Sequence, residues 1–124
     1  MQITTFNPMI LSPKADEVIK LFEELGFERR HQVDNVDDKD ISSVRMKDSN
    51  GFHVDITSVV KLERDMTIIR MNVDDLDEAY ALLTAHGFKA VDGSSSLTSS
   101  SKSVLMASPS GFSIDLVKHI KEHD

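Results

Sequence analysis

The sequence predicts an α+β protein built from two copies of one βαβββ module. Two observations carry that prediction. The phrase "SNGFHVDITSVV" (49–60) returns as "PSGFSIDLVKHI" (109–120), and "LFEELGFERR" (21–30) returns as "LLTAHGFKAV" (82–91). The offsets agree at both ends: Gly26 and Gly87 are 61 residues apart, while Gly51 and Gly111, like Asp55 and Asp115, are 60 apart. Self-similarity at a fixed period marks a repeated structural unit. The expected domain is therefore a single one over 1–124, with module one at 1–60 and module two at 61–124.

Each module opens on a β-like run, "QITTFNPMIL" (2–11) or "MTIIRMNV" (66–73). A helix follows. In "SPKADEVIKLFEELG" (12–26), Ala15, Val18, Ile19, Phe22 and Leu25 have the spacing of one helical face, with Ser12 as N-cap and Gly26 at the stop. In "VDDLDEAYALLTAHG" (73–87), Leu76, Ala79, Leu82 and Leu83 form the corresponding face, acids occupy the first turn, and Gly87 follows the end. A short run, a polar loop, a second run, a glycine turn and a final run complete each copy. The loops "VDNVDDKD" (33–40) and "DGSSSLTSSSKS" (92–103) read as plain connections, because Ser, Asp and Gly form turns through local hydrogen bonds. "HIKEH" (119–123) reads as a charged, frayed tail rather than a metal-ligand pair, since no third ligand stands near it.

Composition narrows the function classes. The chain has 124 residues, 40% hydrophobic and 28% charged, enough for one domain with its own core. It lacks cysteine, which excludes disulfides, thiolate zinc and a cysteine nucleophile. Its net charge of −7 is shared by both halves, 11 acids against 7 bases up to residue 60 and 10 against 7 after it. That balance argues against a nucleic-acid partner, because phosphate binding draws on a basic surface. No segment approaches the roughly 20 apolar residues of a membrane span, and no basic leader precedes an apolar run. The expectation is a cytoplasmic protein with neither membrane nor nucleic acid as partner.

Alternation of side chains in a strand turns the repeated phrases into geometry. Phe52, Val54 and Ile56 oppose His53, Asp55 and Thr57; Phe112, Ile114 and Leu116 oppose Ser113, Asp115 and Val117. The apolar face meets a helix. By the same test Ile69, Met71 and Val73 lie on the helix side of their strand and Ile68, Arg70 and Asn72 opposite, while Phe6, Pro8 and Ile10 oppose Thr5, Asn7 and Met9. Polar groups thus collect on the second face of both modules, and two such faces turned toward each other would enclose a cleft.

With a duplicated βαβββ module, helices ending in "LGF" and "HGF", and an acid four residues after the glycine of "GFHVD" and "GFSID", the chain resembles the vicinal oxygen chelate superfamily, which includes glyoxalase I, extradiol dioxygenases, and fosfomycin- and bleomycin-resistance proteins. The resemblance covers nearly the whole chain. It implies a curved, mixed eight-stranded sheet with helices on the outer face, a ligand on the concave face and, in many members, a homodimer. Enzymes of the family set a metal between a His, Gln or Glu on each first strand and a Glu on each last strand. Here those positions fall at Asn7 and Ile68, and at Asp55 and Asp115. Ile68 has no donor atom, and a shift of register brings Asn7 or Asn72 nearer but no histidine. Zinc and nickel favour imidazole, so the ligand set suits at most a hard ion held by oxygens.

Two facing aspartates without a metal repel each other unless a cation lies between them. Arg70 is one candidate, giving an internal Asp55–Arg70–Asp115 network, and a cationic ligand is another, as for acidic family members that bind basic antibiotics. Arg45 and His53 also fall on the cleft side, His53 as a group able to titrate near neutral pH. The leading expectation is a metal-independent protein with no cofactor that binds or sequesters a small, possibly cationic molecule, at a pocket of Asn7, Arg45, His53, Asp55, Arg70 and Asp115. The alternative is an enzyme in which a divalent metal ligated by oxygens polarises adjacent substrate oxygens, as in glyoxalase-type isomerisation or dioxygenase chemistry, with a carboxylate as general base.

Overall fold

The computed structural model describes residues 1–33, 41–97 and 101–119. It divides into two compact units, Asn7–Thr67 and the combination of Met1–Phe6 with the described residues from Ile68 onward. Each is a βαβββ arrangement of mixed parallel and antiparallel strands, the α+β class read from the sequence.

The first unit contains most of β1 (Ile3–Ser12), α1 (Ala15–Glu24), β2 (Glu28–Val33), β3 (Ile41–Lys47) and β4 (His53–Val59), in the sheet order β2-β3-β4-β1. β1 runs parallel to β4, with Met9 opposite Asp55, and β3 runs antiparallel to it, with Arg45 opposite Asp55. The helix forms where the apolar spacing predicts. Ala15, Ile19, Val18 and Phe22 pack on Val44, Met46, Val54 and Ile56, and Ile10 joins them from β1. Met46 and Ile56 lose all contact with water, worth about 1.5–3 kcal/mol each. Leu25 departs from the predicted face: it lies beyond the last helical turn and is 62% exposed. Ser12 is not the N-cap either. Lys14 holds that position, and the buried Ser12 hydroxyl accepts the Lys14 amide hydrogen at 3.0 Å while donating to Asp65 at 2.6 Å.

The second unit contains most of β5 (Met66–Val73), α2 (Leu76–Ala85), β6 (Lys89–Ala90), β7 (Ser96–Leu97), β8 (Ser101–Ala107) and β9 (Ser113–His119), in the order β5-β9-β8-β6 with β7 also beside β8. The run expected after the helix is here two short pieces, β6 and β7. Leu76, Ala79 and Leu83 of α2 pack on Met71, Val73, Val104, Met106, Ile114 and Leu116. Leu82, placed on that face by spacing, is half exposed. Asp75 caps α2 by accepting the Glu78 amide hydrogen at 3.0 Å. The first residues of the chain complete this unit, where the Gln2 amide donates to Asp74 Oδ1 at 2.7 Å and the Asp74 amide donates to the Gln2 carbonyl.

The repeated phrases are matching pieces of backbone. Both helices end in the same double-bonded stop: Phe27 N–H returns to the Phe22 carbonyl and Gly26 N–H to Glu23, as Phe88 returns to Leu83 and Gly87 to Thr84. The phenylalanine after each glycine covers the last turn, with Phe27 edge-on to Phe22 at 5.3 Å and Phe88 packed in the core containing Leu83. Both final hairpins also close alike. Asp48 N–H donates to Phe52 and Gly51 N–H to Asp48; Ser108 donates to Phe112 and Gly111 to Ser108. Neither α1 nor α2 is long and apolar enough to cross a membrane.

Candidate functional site

Alternation along β4 separates its two sides. Val54 and Ile56 enter the core under α1, and the residues between them face the other way. Asp55 is completely buried there, and a buried carboxylate is stable only with charge and hydrogen-bond partners. Two predicted pocket residues supply them. Asn7 Nδ2 donates to Asp55 Oδ2 at 2.6 Å and to the Pro8 carbonyl at 2.9 Å, while Asn7 Oδ1 accepts from Arg45 Nη2 at 2.7 Å. Arg45 Nε stands 3.5 Å from Asp55 Oδ1, and the arginine side chain is 18% exposed. These contacts fix the amide orientation, since the reverse would set the Asn7 oxygen against a carboxylate. Close by, Thr57 donates to Ser43 at 3.1 Å.

His53 lies two residues from Asp55 on the same strand and is half-buried, with Lys47 as its cross-strand partner. Burial pushes its imidazole below the ordinary value, the Arg45 and Lys47 cations push it the same way, and Asp55 and Asp48 oppose them less strongly. The ring therefore holds its proton less tightly than a free imidazole.

In the second unit the same register recurs with different side chains. Arg70 is the Cα partner of Asp115 just as Met9 is of Asp55, and Leu105 is the antiparallel partner of Asp115 where Arg45 stands opposite Asp55. Ile68, at the place equivalent to Asn7, is buried, and Asp115 is only partly buried. Two residues along β5, Asn72 is 1% exposed and its Nδ2 lies 2.8 Å from His119 Nε2.

The structure therefore joins Asn7, Arg45 and Asp55, sets His53 beside them, and makes Arg70 and Asp115 neighbours in register. Among the described residues of its own unit, Arg45 is a counter-charge to Asp55. Sequence reasoning missed Lys47 and the Asn72–His119 pair. His119 ends β9 instead of opening a frayed tail; His123 lies outside the described residues. The period-two sequence Ser113, Asp115, Val117, His119 was the available signal. A cavity of about 500 Å³ in the first unit lies on the helix-bearing side, lined by Lys14, Asp16, Arg29, Ser42, Val44 and Ile56, and holds none of the predicted site residues. Among the described residues no three His, Asp or Glu side chains gather to hold a metal ion.

Comparison with solved structures places this geometry among known folds. The chain is similar to methylmalonyl-CoA epimerase from Mycobacterium tuberculosis, with TM-score 0.71 at 17% identity over 94% of this chain and 88% of that one. It is also similar to a hypothetical protein from Bacillus halodurans C-125, with TM-score 0.74 at 8% identity over 100% and 99% of the two chains. A third is a glyoxalase/bleomycin resistance/dioxygenase superfamily member from Vibrio splendidus 12B01, with TM-score 0.59 at 12% identity over 94% and 99%. No family model and no curated protein matches the sequence. The chain has the vicinal oxygen chelate fold.

Proposed function

We propose that this chain is a small-molecule-binding protein that works without a resident metal, using the sheet face opposite the helix in each unit: Asn7, Arg45, His53 and Asp55 in the first, Arg70 and Asp115 in the second. One observation carries the reading. The atoms of the first unit that would have to ligate a metal are already engaged, Asn7 Oδ1 by the Arg45 guanidinium and Asp55 Oδ2 by the Asn7 amide. A divalent ion at Asp55 would have to displace Asn7 and stand beside a guanidinium, a repulsion unscreened by water in a buried site. In the second unit the equivalent of Asn7 is Ile68, which offers no donor, and an arginine is the register partner of Asp115. The donor set does not fit a resident divalent metal.

The net charge of −7 favours a cationic ligand, but the charges around His53 point the other way. Arg45 offsets Asp55 there, and Lys47 adds a further positive charge. The reading follows the local charge, and it keeps the homodimer as the expected assembly, to be checked by light scattering.

The test has two parts. Purified, untagged protein is dialysed against excess Zn²⁺, Ni²⁺, Mn²⁺ and Fe²⁺ and its metal content measured; the expected result is no near-stoichiometric retention. Small molecules that raise the melting temperature are then mapped by amide chemical shifts, with Asn7, Arg45 and Asp55 expected among the residues that move. Stoichiometric metal would replace this reading with the metal-dependent one. Binding confined to other surfaces would end it.

A further inference from the structure

The end of the β3–β4 hairpin carries two polar side chains that the buried cluster does not use. Lys47 and His53 are directly opposed in the antiparallel register, and both are half-buried. The Asp48 amide donates to the Phe52 carbonyl, which makes the adjoining 47–53 pair a non-hydrogen-bonded one, the kind in which the two Cα atoms approach to about 4.5 Å and the side chains lie closest. Among the described residues, Lys47 has no ion pair and neither side chain has a hydrogen bond.

Among the described residues, the acids near this pair are otherwise engaged. Asp55 faces Arg45 and accepts from Asn7, and Asp48 Oδ1 accepts the amide hydrogens of Asn50 and Phe52. Glu28, the β2 partner of Lys47, lies in solvent with its Oε2 3.4 Å from Arg30. A half-buried lysine with no carboxylate partner among the described residues, beside a half-buried histidine, stands out in a chain with seven more acids than bases. Burial weakens their hydration while leaving them open on one side, so the group best able to satisfy both is an anion with at least two acceptor oxygens.

We propose that Lys47 and His53 form an oxyanion subsite that receives the carboxylate or phosphate group of a small ligand. Lys47 supplies the charge and His53 a ring nitrogen. Arg45, held behind them by Asp55 and Asn7, offsets the buried Asp55 charge. This deepens the small-molecule reading above and rests on it, giving the ligand a chemical class that the whole-chain charge does not suggest.

The test titrates the full ¹⁵N-labelled chain with sodium malonate and, separately, sodium phosphate, holding ionic strength constant with sodium chloride. Saturable shifts are expected at the amides of Lys47, His53 and Val54 with one or both probes. The responding probe identifies the group: malonate alone a carboxylate, phosphate alone a phosphate. Lys47→Ala should weaken that binding about tenfold (1.4 kcal/mol) at an unchanged melting temperature, and Lys47→Arg should largely retain it. Failure of both anions to give saturable shifts, or equal affinity in Lys47→Ala, overturns the subsite. Neutral compounds that shift Asn7 and Asp55 while both anions fail would sink the subsite and leave the broader function standing. If no compound moves any residue of this face, both fall.

Discussion

Asn7 and Asp55 are 48 residues apart in the chain and 2.6 Å apart in the fold, joined by an amide-to-carboxylate hydrogen bond that is wholly buried. The amide accepts from Arg45 with its other end, so Asn7 works as a relay between a cation and an anion.

Breaking that relay from one side should cost more than removing it entirely. Arg45→Met leaves the fully buried Asp55 without its guanidinium, and loss of about 3–5 kcal/mol is expected in urea unfolding. The double variant Arg45→Met, Asp55→Leu should recover part of it, since the buried Asn7 amide then loses both its side-chain partners. If the double variant were no more stable than Arg45→Met, Arg45 would not be acting through the Asp55 charge.

The depressed His53 pKa gives a signed pH dependence. The folded state binds the imidazole proton less readily than the unfolded chain, whose value is about 6.5. Its contribution is therefore fully retained above about pH 6.5 and is lost as pH falls through the folded pKa. Measured between pH 8 and pH 5, the melting temperature of the natural chain should fall below that of His53→Asn as acid is added. Parallel curves would show that His53 titrates as it does in the unfolded chain.

Two glycines with similar backbone should respond differently to alanine. Gly26 (φ 106°) has open space at its Cβ position, so Gly26→Ala meets only the left-handed backbone penalty, about 1–2 kcal/mol. Gly87 (φ 88°) adds a steric term, because a Cβ there would stand 3.1 Å from Pro109 Cγ. Gly87→Ala should lower the unfolding midpoint further than Gly26→Ala, and equal losses would mean that the Pro109 ring yields at no cost.

Asn72 offers a substitution that should not destabilise. Its Oδ1 is buried with no hydrogen-bond partner among the described residues, and its Nδ2 meets only the exposed His119. Asn72→Leu removes an unsatisfied oxygen at similar volume, and His119 remains exposed to water, so stability should hold or rise by about 1 kcal/mol. A loss well beyond that size in chemical denaturation would reveal a further partner for Asn72.

The features legible in the sequence are those set by local periodicity. Apolar spacing located both helices, the glycine after each marked a stop that the backbone makes twice, and strand alternation put Asp55 opposite Val54 and Ile56. Leu25 and Leu82 were misplaced because spacing shows which face a residue is on and not how far the sheet beneath it extends. The Asn7–Arg45–Asp55 cluster needed cross-strand register, with β4 lying between β1 and β3, and no local pattern encodes that. Lys47 escaped for the same reason: six positions from His53 in the chain, it meets that predicted residue only once the hairpin is registered. In the serine-rich stretch before β8, too few apolar residues remain to signal where a strand breaks into β6 and β7.

Gln2 and Asp74 pair across 72 residues of chain, and that separation orders events during synthesis. The ribosome adds about 5–20 residues per second, so Gln2 waits several seconds before Asp74, between β5 and α2, exists. Throughout that interval the unit from Asn7 to Thr67 can form its local hairpin and helix, while Ile3 and Phe6, more than half exposed even in the finished fold, have nothing of their own unit to pack on. Closing so long a loop is entropically costly and slow, so the Gln2–Asp74 pairing is a late event of folding.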